Sequence, residues 1–415
     1  MFAISSGPAD QTPDPTHRIA TNPVLGVALI LFCAFYIVMI SVENPYLGAG
    51  RNLVDFDAFY VVGIMAQEGR IAEAYHLPHL VEAYRTHSGL DSFMPWTYPP
   101  QFDLIVALLP ALPRGLSYLI FTGLSFLAFL WVLHRLAGVY LPAVLAATLP
   151  ILYIQLACGQ NGFLTAAILG WMALWVTEGR RGAGLPLGLM VIKPHMGIGL
   201  GLWALVRGEW RLLAQAVAVT LASGLLATLV FGPAVWGAFR GGVAEAAGFL
   251  EAGLYPFFRM TSLYAGLHRL GVDPGLAMAA QITLALVAVS AVIWFARRAP
   301  LRHALAMACA GTLLLSPYTY DYDLTLLAVA FALVARDLFD RARLREILGL
   351  MALVWVAGGW GLARVLQAVF VVPDRIETLS LHAVSIGSPF LVLAIGWTAW
   401  ILRRPLPARG AIQPV

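Results

Sequence analysis

Two aspartates, Asp55 and Asp57, follow the first long apolar run of this sequence within the heptapeptide VDFDAFY. A carboxylate can act as a general base toward a hydroxyl when it is ionised and lies within hydrogen-bond reach of that hydroxyl. Acidic residues that end an apolar segment can equally be solvated boundary residues. We favour a chemical role for Asp55, because an aromatic stretch that includes Tyr60 follows it and can fix its position.

A single lysine, Lys193, stands among 26 basic residues, and it lies between two apolar runs, directly before Pro194 and His195. A proline at this point breaks a helix, so residues 183–192 and 195–206 are predicted to form two short helices joined by a turn. An ionised lysine at membrane depth costs roughly 2.5–3.5 kcal/mol and therefore requires a partner or a water-filled cavity. Because a compact cation suits a phosphate, we predict that Lys193 and His195 bind one.

Other segments contain polar and aromatic residues that could line a sugar pocket or contact a phosphate. The aromatic residues can instead be interfacial anchors, and the polar residues that precede helices can be helix caps. The predicted pocket residues, besides Tyr60, are Trp96, Tyr98, Gln160, Asn161, Tyr318, Tyr320 and Asp321, and the further predicted phosphate contact is Arg259.

The histidines and cysteines of the chain do not predict a metal site. The spacing of His76, His79 and His87 matches no zinc pattern. The three cysteines each lie inside or at the edge of an apolar run, which indicates neither a disulfide framework nor a thiolate metal site. We therefore expect no metal and no cofactor.

The composition of the chain identifies the environment in which these residues must be positioned. Of 415 residues, 60% are hydrophobic and 12% are charged, whereas a typical soluble domain has roughly 45–50% and 25%. The mean hydropathy is +0.80. These values exclude an ordinary soluble enzyme, and the scattered arginine clusters form no basic face of the kind that binds nucleic acid. We predict an all-α polytopic membrane protein.

Apolar runs of spanning or near-spanning length give the predicted membrane passes. They lie near 24–42, 116–134, 140–157, 162–178, 211–231, 276–296, 301–315, 321–339, 347–371 and 380–402. With 183–206 counted as two passes and the short run 100–112 as not crossing, all arginine clusters face the cytoplasm, as the positive-inside rule requires. The prediction is twelve passes with both termini cytoplasmic.

The same topology predicts the domain organisation. Residues 1–22 and 404–415 are predicted to be cytoplasmic tails, the first of them disordered, and 23–403 a single membrane domain. The first outer loop, 43–115, is predicted to carry amphipathic helices in the interface plane, and 232–275 forms a second large outer loop. The unusual polar residues fall on the outer side, which indicates a protein that acts at the outer face of the membrane.

Together, the motifs resemble those of glycosyltransferase family 87, within the integral-membrane superfamily C whose members use polyprenyl-phosphate sugars. The segments that carry the resemblance are VDFDAFY, WTYPP, CGQNGFL, AGLPLGLMVIKP and SPYTYDYDLTLL, in the order found in the family. The resemblance implies a multi-helix fold with a catalytic aspartate early in the first outer loop, which by position is Asp55, with Asp57 as the second candidate. Lys193 matches the family's Lys-Pro turn. The chain departs from the family after Ser-Pro, where family members often carry a histidine.

The resemblance also implies the activity. It is an inverting transfer of a sugar, most simply mannose or arabinofuranose, from a polyprenyl-phosphate donor to an acceptor hydroxyl of a glycolipid or glycan. The location implied is the outer face of a bacterial inner membrane, and the lipid-linked donor is a co-substrate. The alternative is a secondary transporter or lipid flippase, since Lys193 and Asp321 would also suit coupled transport. The lack of an internal repeat argues against that alternative.

Overall fold

The computed structural model describes residues 15–49, 53–371 and 383–406. Within those ranges the chain is helical, and its β structure consists of one isolated bridge between Met260 and Tyr320. The predicted all-α fold class is thus confirmed for the part of the chain that the structure describes.

Nineteen α-helices occur in the described residues. They are α1 Pro15–Ala20, α2 Pro23–Glu43, α3 Asp55–Gln67, α4 Ile71–Ala74, α5 Leu77–Ser88, α6 Pro100–Val106, α7 Arg114–Ala137, α8 Leu141–Cys158, α9 Gly162–Thr177, α10 Gly184–Leu189, α11 Ile198–Arg207, α12 Trp210–Phe231, α13 Ala234–Glu251, α14 Leu263–Arg269, α15 Pro274–Arg298, α16 Leu301–Thr312, α17 Thr325–Arg341, α18 Leu344–Val371 and α19 Gly387–Leu402. Short 3-10 helices occupy Leu109–Ala111, Gly138–Tyr140, Met190–Ile192, Pro194–Gly197, Phe257–Arg259 and Asp321–Leu324.

Several of these helices identify the chain as a membrane protein. Five segments are long and apolar enough to cross a bilayer, namely His17–Glu43, Arg114–Cys158, Trp210–Phe231, Pro274–Arg298 and Leu344–Gln367. Shorter apolar helices occupy Pro100–Ala111, Gly162–Thr177 and Gly387–Leu402. Each predicted apolar run coincides with a helix over most of its length, although residues 380–382 of the last run lie outside the described residues.

Part of the predicted amino-terminal tail is helical. Helix α1 packs against α8, its last residue Ala20 is buried, and the Tyr140 hydroxyl lies 3.2 Å from Nδ1 of His17. The rest of that tail, residues 1–14, and most of the predicted carboxyl-terminal tail, residues 407–415, lie outside the described residues.

The chain breaks at Lys193, as the proline after it predicts. The six-residue α10 and the 3-10 turn Met190–Ile192 approach Lys193 from one side, and the ten-residue α11 leaves after the 3-10 turn Pro194–Gly197. Lys193 itself is 7% exposed. The turn therefore places this lysine inside the helical bundle.

Helix α17 is the centre of the bundle. All residues from Thr325 to Ala335 are buried, and the helix packs against α7, α8, α9, α16 and α19. The start of α9 approaches the segment before α17 so closely that a Cβ atom on Gly162 would lie 2.6 Å from the Tyr322 carbonyl oxygen. The amino-terminal ends of these two helices therefore meet, and the polar residues before them are brought together.

A buried ion pair holds the first predicted outer loop against the bundle. Asp57, near the start of α3, is 0% exposed, and Arg114, which opens α7, is 1% exposed. The Arg114 Nε atom donates to Oδ1 of Asp57 over 2.7 Å, and the backbone N–H of Val54 donates to Oδ2 over 2.9 Å. The guanidinium also lies over the ring of Phe56. Helix α3 is therefore fixed in position at its amino-terminal end.

Replacing Arg114 with methionine is expected to lower the free energy of unfolding by about 3–5 kcal/mol, because it removes the buried guanidinium that pairs with the Asp57 carboxylate. Denaturant unfolding of the purified protein in detergent measures this loss. Arg85→Met is the matched control, because Arg85 pairs with Asp91 at the surface, and such a pair contributes about 1 kcal/mol or less. Equal losses for the two variants would contradict the structural role of the buried pair.

Candidate active site

Five chain segments meet at the amino-terminal end of the central helix α17. They are the start of α3 with Asp55, the turn 158–161 between α8 and α9, the Lys193 turn, the 3-10 turn Phe257–Arg259, and the 3-10 helix Asp321–Leu324. They contribute three carboxylates and two cations to one cluster, so the cluster is built from residues far apart in sequence.

Lys193 is paired with Asp323. The lysine is 7% exposed and the aspartate 1%. The Nζ atom donates to Oδ1 of Asp323 over 2.5 Å, and it lies 5.1 Å from the ring centroid of Tyr322. The other carboxylate oxygen of Asp323 accepts the backbone N–H of Tyr320 over 3.1 Å. The buried lysine therefore has the partner that the sequence analysis required.

Arg259 is paired with Asp321 and reaches toward Asp55. Its Nε and Nη2 atoms donate to the two carboxylate oxygens of Asp321 over 3.2 and 3.0 Å, a bidentate arrangement. The Nη2 atom also contacts Sγ of Cys158 over 3.1 Å. The Nη1 atom lies 3.9 Å from Oδ2 of Asp55. Arg259 thus connects the segment before α17 with the start of α3.

Asp55 has a different environment from Asp57. Its side chain is 24% exposed, and its Oδ1 atom accepts a hydrogen bond from Nε2 of Gln160 over 3.3 Å. The Oε1 atom of Gln160 in turn accepts from the Tyr98 hydroxyl and from the backbone N–H of Asn161, both over 2.8 Å. Asp55 is therefore positioned by an amide side chain and remains accessible.

Three of the predicted pocket residues border this arrangement. Asn161 is buried beside the Tyr98 hydroxyl. The rings of Tyr320 and Tyr322 stack with centroids 5.2 Å apart and an interplanar angle of 7°. The Arg259 guanidinium lies 5.5 Å from the Tyr322 centroid, so both cations of the cluster contact this ring. Tyr322 was not among the predicted site residues, although it lies within the Tyr-Asp-Tyr-Asp segment.

Three other predicted pocket residues donate hydrogen bonds elsewhere. The Tyr60 hydroxyl donates to the Leu112 carbonyl over 2.9 Å, and the Tyr318 hydroxyl donates to the Ala246 carbonyl over 3.0 Å. The Trp96 indole N–H donates to Oδ1 of Asp103 over 2.9 Å. These side chains connect helices and loops around the cluster.

Asp103, which the sequence does not predict as a site residue, is a buried carboxyl group that contacts Trp96 and Tyr75. It is 0% exposed, and it accepts hydrogen bonds from the Trp96 indole and, over 2.7 Å, from the Tyr75 hydroxyl. Burial raises the pKa of the Asp103 carboxyl to about 7, although the two hydrogen bonds oppose that shift. Asp103 fixes Trp96 and thereby the segment that carries Tyr98.

His195 follows Lys193 in the turn between α10 and α11, outside both helices. Its Nε2 atom is buried and has no hydrogen-bond partner within the described part of the chain. The cluster's positive charge comes from Lys193 and Arg259.

Asp323 is the main residue that the site prediction lacked. It was recognised as part of the Tyr-Asp-Tyr-Asp segment, but only Asp321 was assigned to the pocket. A buried lysine requires a partner, and an acidic pair before a helix was the available signal. The described residues contain no group of three or more His, Cys, Asp or Glu side chains arranged to hold a metal ion.

The chemistry available to the cluster follows from these contacts. Three carboxylates face two cations, and two of the carboxylates are held in close ion pairs. Only Asp55 combines partial exposure with a cation no nearer than 3.9 Å. The cluster therefore provides one accessible carboxylate beside a buried lysine and a partly buried arginine, an arrangement that could accept a proton and hold an anion.

One comparison with known proteins gives a match. The profile of glycosyltransferase family 87 matches residues 96–317, which is more than half of the 415-residue chain. The matched range includes the turn 158–161, the Lys193 turn and Arg259. No curated protein and no solved structure matches the chain.

Asp103→Asn is expected to remove a pH dependence of stability. The pKa of this carboxyl rises from an ordinary 3.8 to about 7 on folding, so the folded state binds the extra proton. Its contribution is present in full below about pH 4 and is lost as the pH rises to about 7. Melting temperatures in detergent across pH 4–8 test this, and the wild type should lose stability relative to the variant as the pH rises. Parallel curves would contradict it.

Proposed function

Since the chain belongs to glycosyltransferase family 87, we propose that it transfers a sugar from a polyprenyl-phosphate donor to an acceptor hydroxyl, with Asp55 as the general base. That the protein is a membrane glycosyltransferase follows from the family and the apolar helices. The donor, the stereochemistry and the base are our proposal. The acceptor that we propose is a glycolipid or glycan, and the sugar is of the mannose or arabinofuranose type.

The environment of Asp55 is the observation on which the proposal rests. Within the part of the chain that the structure describes, it alone among Asp55, Asp57, Asp321 and Asp323 has no cation within 3.5 Å of a carboxylate oxygen. It opens the 13-residue helix α3, where the helix dipole favours a negative charge. Gln160 orients the carboxylate through one oxygen. A general base must be accessible to its substrate, and the side chain of Asp55 is 24% exposed.

The proposed reaction is an in-line substitution. The acceptor oxygen forms a bond to the anomeric carbon as the bond from that carbon to the phosphate oxygen breaks. The electron pair leaves with the polyprenyl phosphate, and the acceptor's proton moves to Asp55. Attack on the face opposite the phosphate inverts the anomeric configuration.

The departing phosphate requires positive charge, and Lys193 and Arg259 are the cations of the cluster. A fixed cation next to a developing negative charge lowers the barrier to the reaction. His195, whose buried Nε2 atom has no hydrogen-bond partner among the described residues, would contribute a hydrogen bond. Tyr98, Gln160, Asn161, Tyr320 and Asp321 would contact the sugar, whereas Tyr60, Trp96 and Tyr318 would hold the segments around it. The proposed reaction uses no metal or cofactor.

We also propose that the site faces the periplasm of a bacterial inner membrane, in a chain of twelve passes with both termini cytoplasmic. The 17 residues of α17 span about 25 Å. The acidic cluster lies before its first residue, and Arg336, Arg341 and Arg343 lie near its last. Since arginine-rich ends favour the cytoplasm, the opposite end of α17 is assigned to the outer side.

Asp55→Asn is expected to lower the rate of sugar transfer by about 10²–10⁴-fold, the range that a general base contributes. Binding of the donor should persist, because the amide keeps the shape of the carboxylate. The assay measures transfer from radiolabelled polyprenyl-phosphate mannose and arabinofuranose to a membrane-lipid extract by the purified protein in nanodiscs.

Asp57→Asn is the matched control for that variant. Asp57 is buried against Arg114, so this substitution should lower the melting temperature, and the protein that remains folded should still transfer sugar. Loss of transfer by folded Asp57→Asn, with activity kept by Asp55→Asn, would assign the base to Asp57.

If the wild type consumes none of these donors, the donor class is wrong, and transport assays in vesicles would test the alternative function.

A further inference from the structure

The cation best suited to the donor phosphate is already occupied. Lys193 donates to Asp323 over 2.5 Å, and both side chains are almost completely buried. A phosphate that binds this ammonium group places a second anion next to Asp323, which favours movement of Asp323 or loss of its charge. The ion pair that stabilises the site without donor therefore competes with donor binding.

The charges of the cluster make this competition costly. Asp55, Asp321 and Asp323 are opposed by Lys193 and Arg259, an excess of one negative charge. A phosphodiester donor adds another negative charge, and the departing phosphate carries up to two. Charges repel strongly where water is largely excluded. Binding therefore favours removal of a carboxylate charge.

Asp323 is the carboxylate that would lose its cation if a phosphate bound Lys193. Asp321 is held by two bonds from Arg259 and by the backbone N–H of Tyr322 over 2.9 Å. Asp323 has Lys193 as its cation, and its other oxygen accepts the backbone N–H of Tyr320. When a phosphate takes over Lys193, Asp323 becomes a buried carboxylate without a cation, which a proton would neutralise.

We propose that the donor phosphate displaces Asp323 from Lys193 and that Asp323 takes up one proton from solvent as the donor binds. This inference rests on the proposed function, because it takes a prenyl phosphate as the ligand. No covalent bond other than the new O–H bond changes. The neutral carboxyl keeps its bond from the Tyr320 N–H and can donate its own proton to a phosphate oxygen. Asp323 thus determines how donor binding depends on pH.

Other titratable groups of the described residues interact with Asp323. They are Tyr98 before α6, Lys193 and His195 in the turn between α10 and α11, and Tyr322 beside it in sequence. Lys193 is expected to remain charged because it exchanges one anion for another. Asp323 is therefore the group to which the proton is assigned.

The test compares the affinity of wild type and Asp323→Asn for undecaprenyl phosphate in detergent across pH 5.5–8.5. The asparagine keeps an oxygen for the Tyr320 N–H but does not compete for Lys193. At pH 8 we expect Asp323→Asn to bind at least tenfold more tightly than wild type. The Kd of the wild type divided by the Kd of Asp323→Asn should rise by up to tenfold per pH unit, because only the wild type must take up a proton on binding. Titration of the phosphate itself cancels in this ratio.

Asp321→Asn is the matched control, because it removes a carboxylate charge next to Arg259 and leaves the Lys193 pair intact. It should keep the pH dependence of the wild type. Calorimetry of the wild type in two buffers of different ionisation enthalpy provides a second measurement that needs no variant. It should show an uptake of about one proton at pH 8 beyond any uptake by the phosphate.

The outcomes separate this inference from the proposed function. If wild type and Asp323→Asn bind the probe equally, with one pH dependence, the inference about Asp323 is wrong and the donor class stands. If calorimetry shows that the wild type binds the probe without proton uptake, the inference about Asp323 is likewise wrong and the donor class stands. If neither protein binds the probe at any pH, the proposed donor class and this inference are both wrong.

Discussion

Compensation of buried charge is the constraint on which the rest of this structure depends. A charge removed from water requires a partner, and the chain supplies an opposite charge for three buried or partly buried groups of this region. Arg114 neutralises Asp57, Asp323 neutralises Lys193, and Asp321 neutralises Arg259. Asp55 differs from these residues, because it is partly exposed and accepts its side-chain hydrogen bond among the described residues from an amide, that of Gln160. The charges that stabilise the bundle and the one available for chemistry are thereby distinguished by burial.

Interrupted and closely packed helices make this arrangement possible. The break at Pro194 brings Lys193 into the bundle at the depth where α17 begins. Gly162 allows α9 to approach the Tyr322 carbonyl, and a Cβ atom on Gly361 of α18 would lie 2.5 Å from an Asp321 oxygen. A side chain at either glycine would displace a group of the cluster. The geometry of the site therefore depends on small residues in helices that take no part in the chemistry themselves.

Membership of glycosyltransferase family 87 indicates the class of enzyme, whereas the geometry of the cluster indicates which residues could carry out the reaction. The family identifies the chain as a membrane glycosyltransferase. The cluster provides the residues through which we propose that it acts, and it has a feature of this chain, the carboxylate that neutralises its only lysine. Because the same ion pair stabilises the site and opposes an incoming anion, stability and donor binding are linked through Asp323.

The sequence by itself determined the fold class, the approximate ends of the long helices, the break at Lys193 and the family. These features depend on local properties, since a run of apolar residues or a proline acts on its own segment. The sequence also identified Lys193 as a residue that needs a partner. Only the tertiary structure decided that this partner is Asp323, 130 residues away, and that Arg114 buries Asp57 but leaves Asp55 accessible. The tertiary structure also shows that Tyr60, Trp96 and Tyr318 form hydrogen bonds outside the cluster. Such pairings depend on how distant helices rotate and pack against one another, which no local pattern of residues specifies.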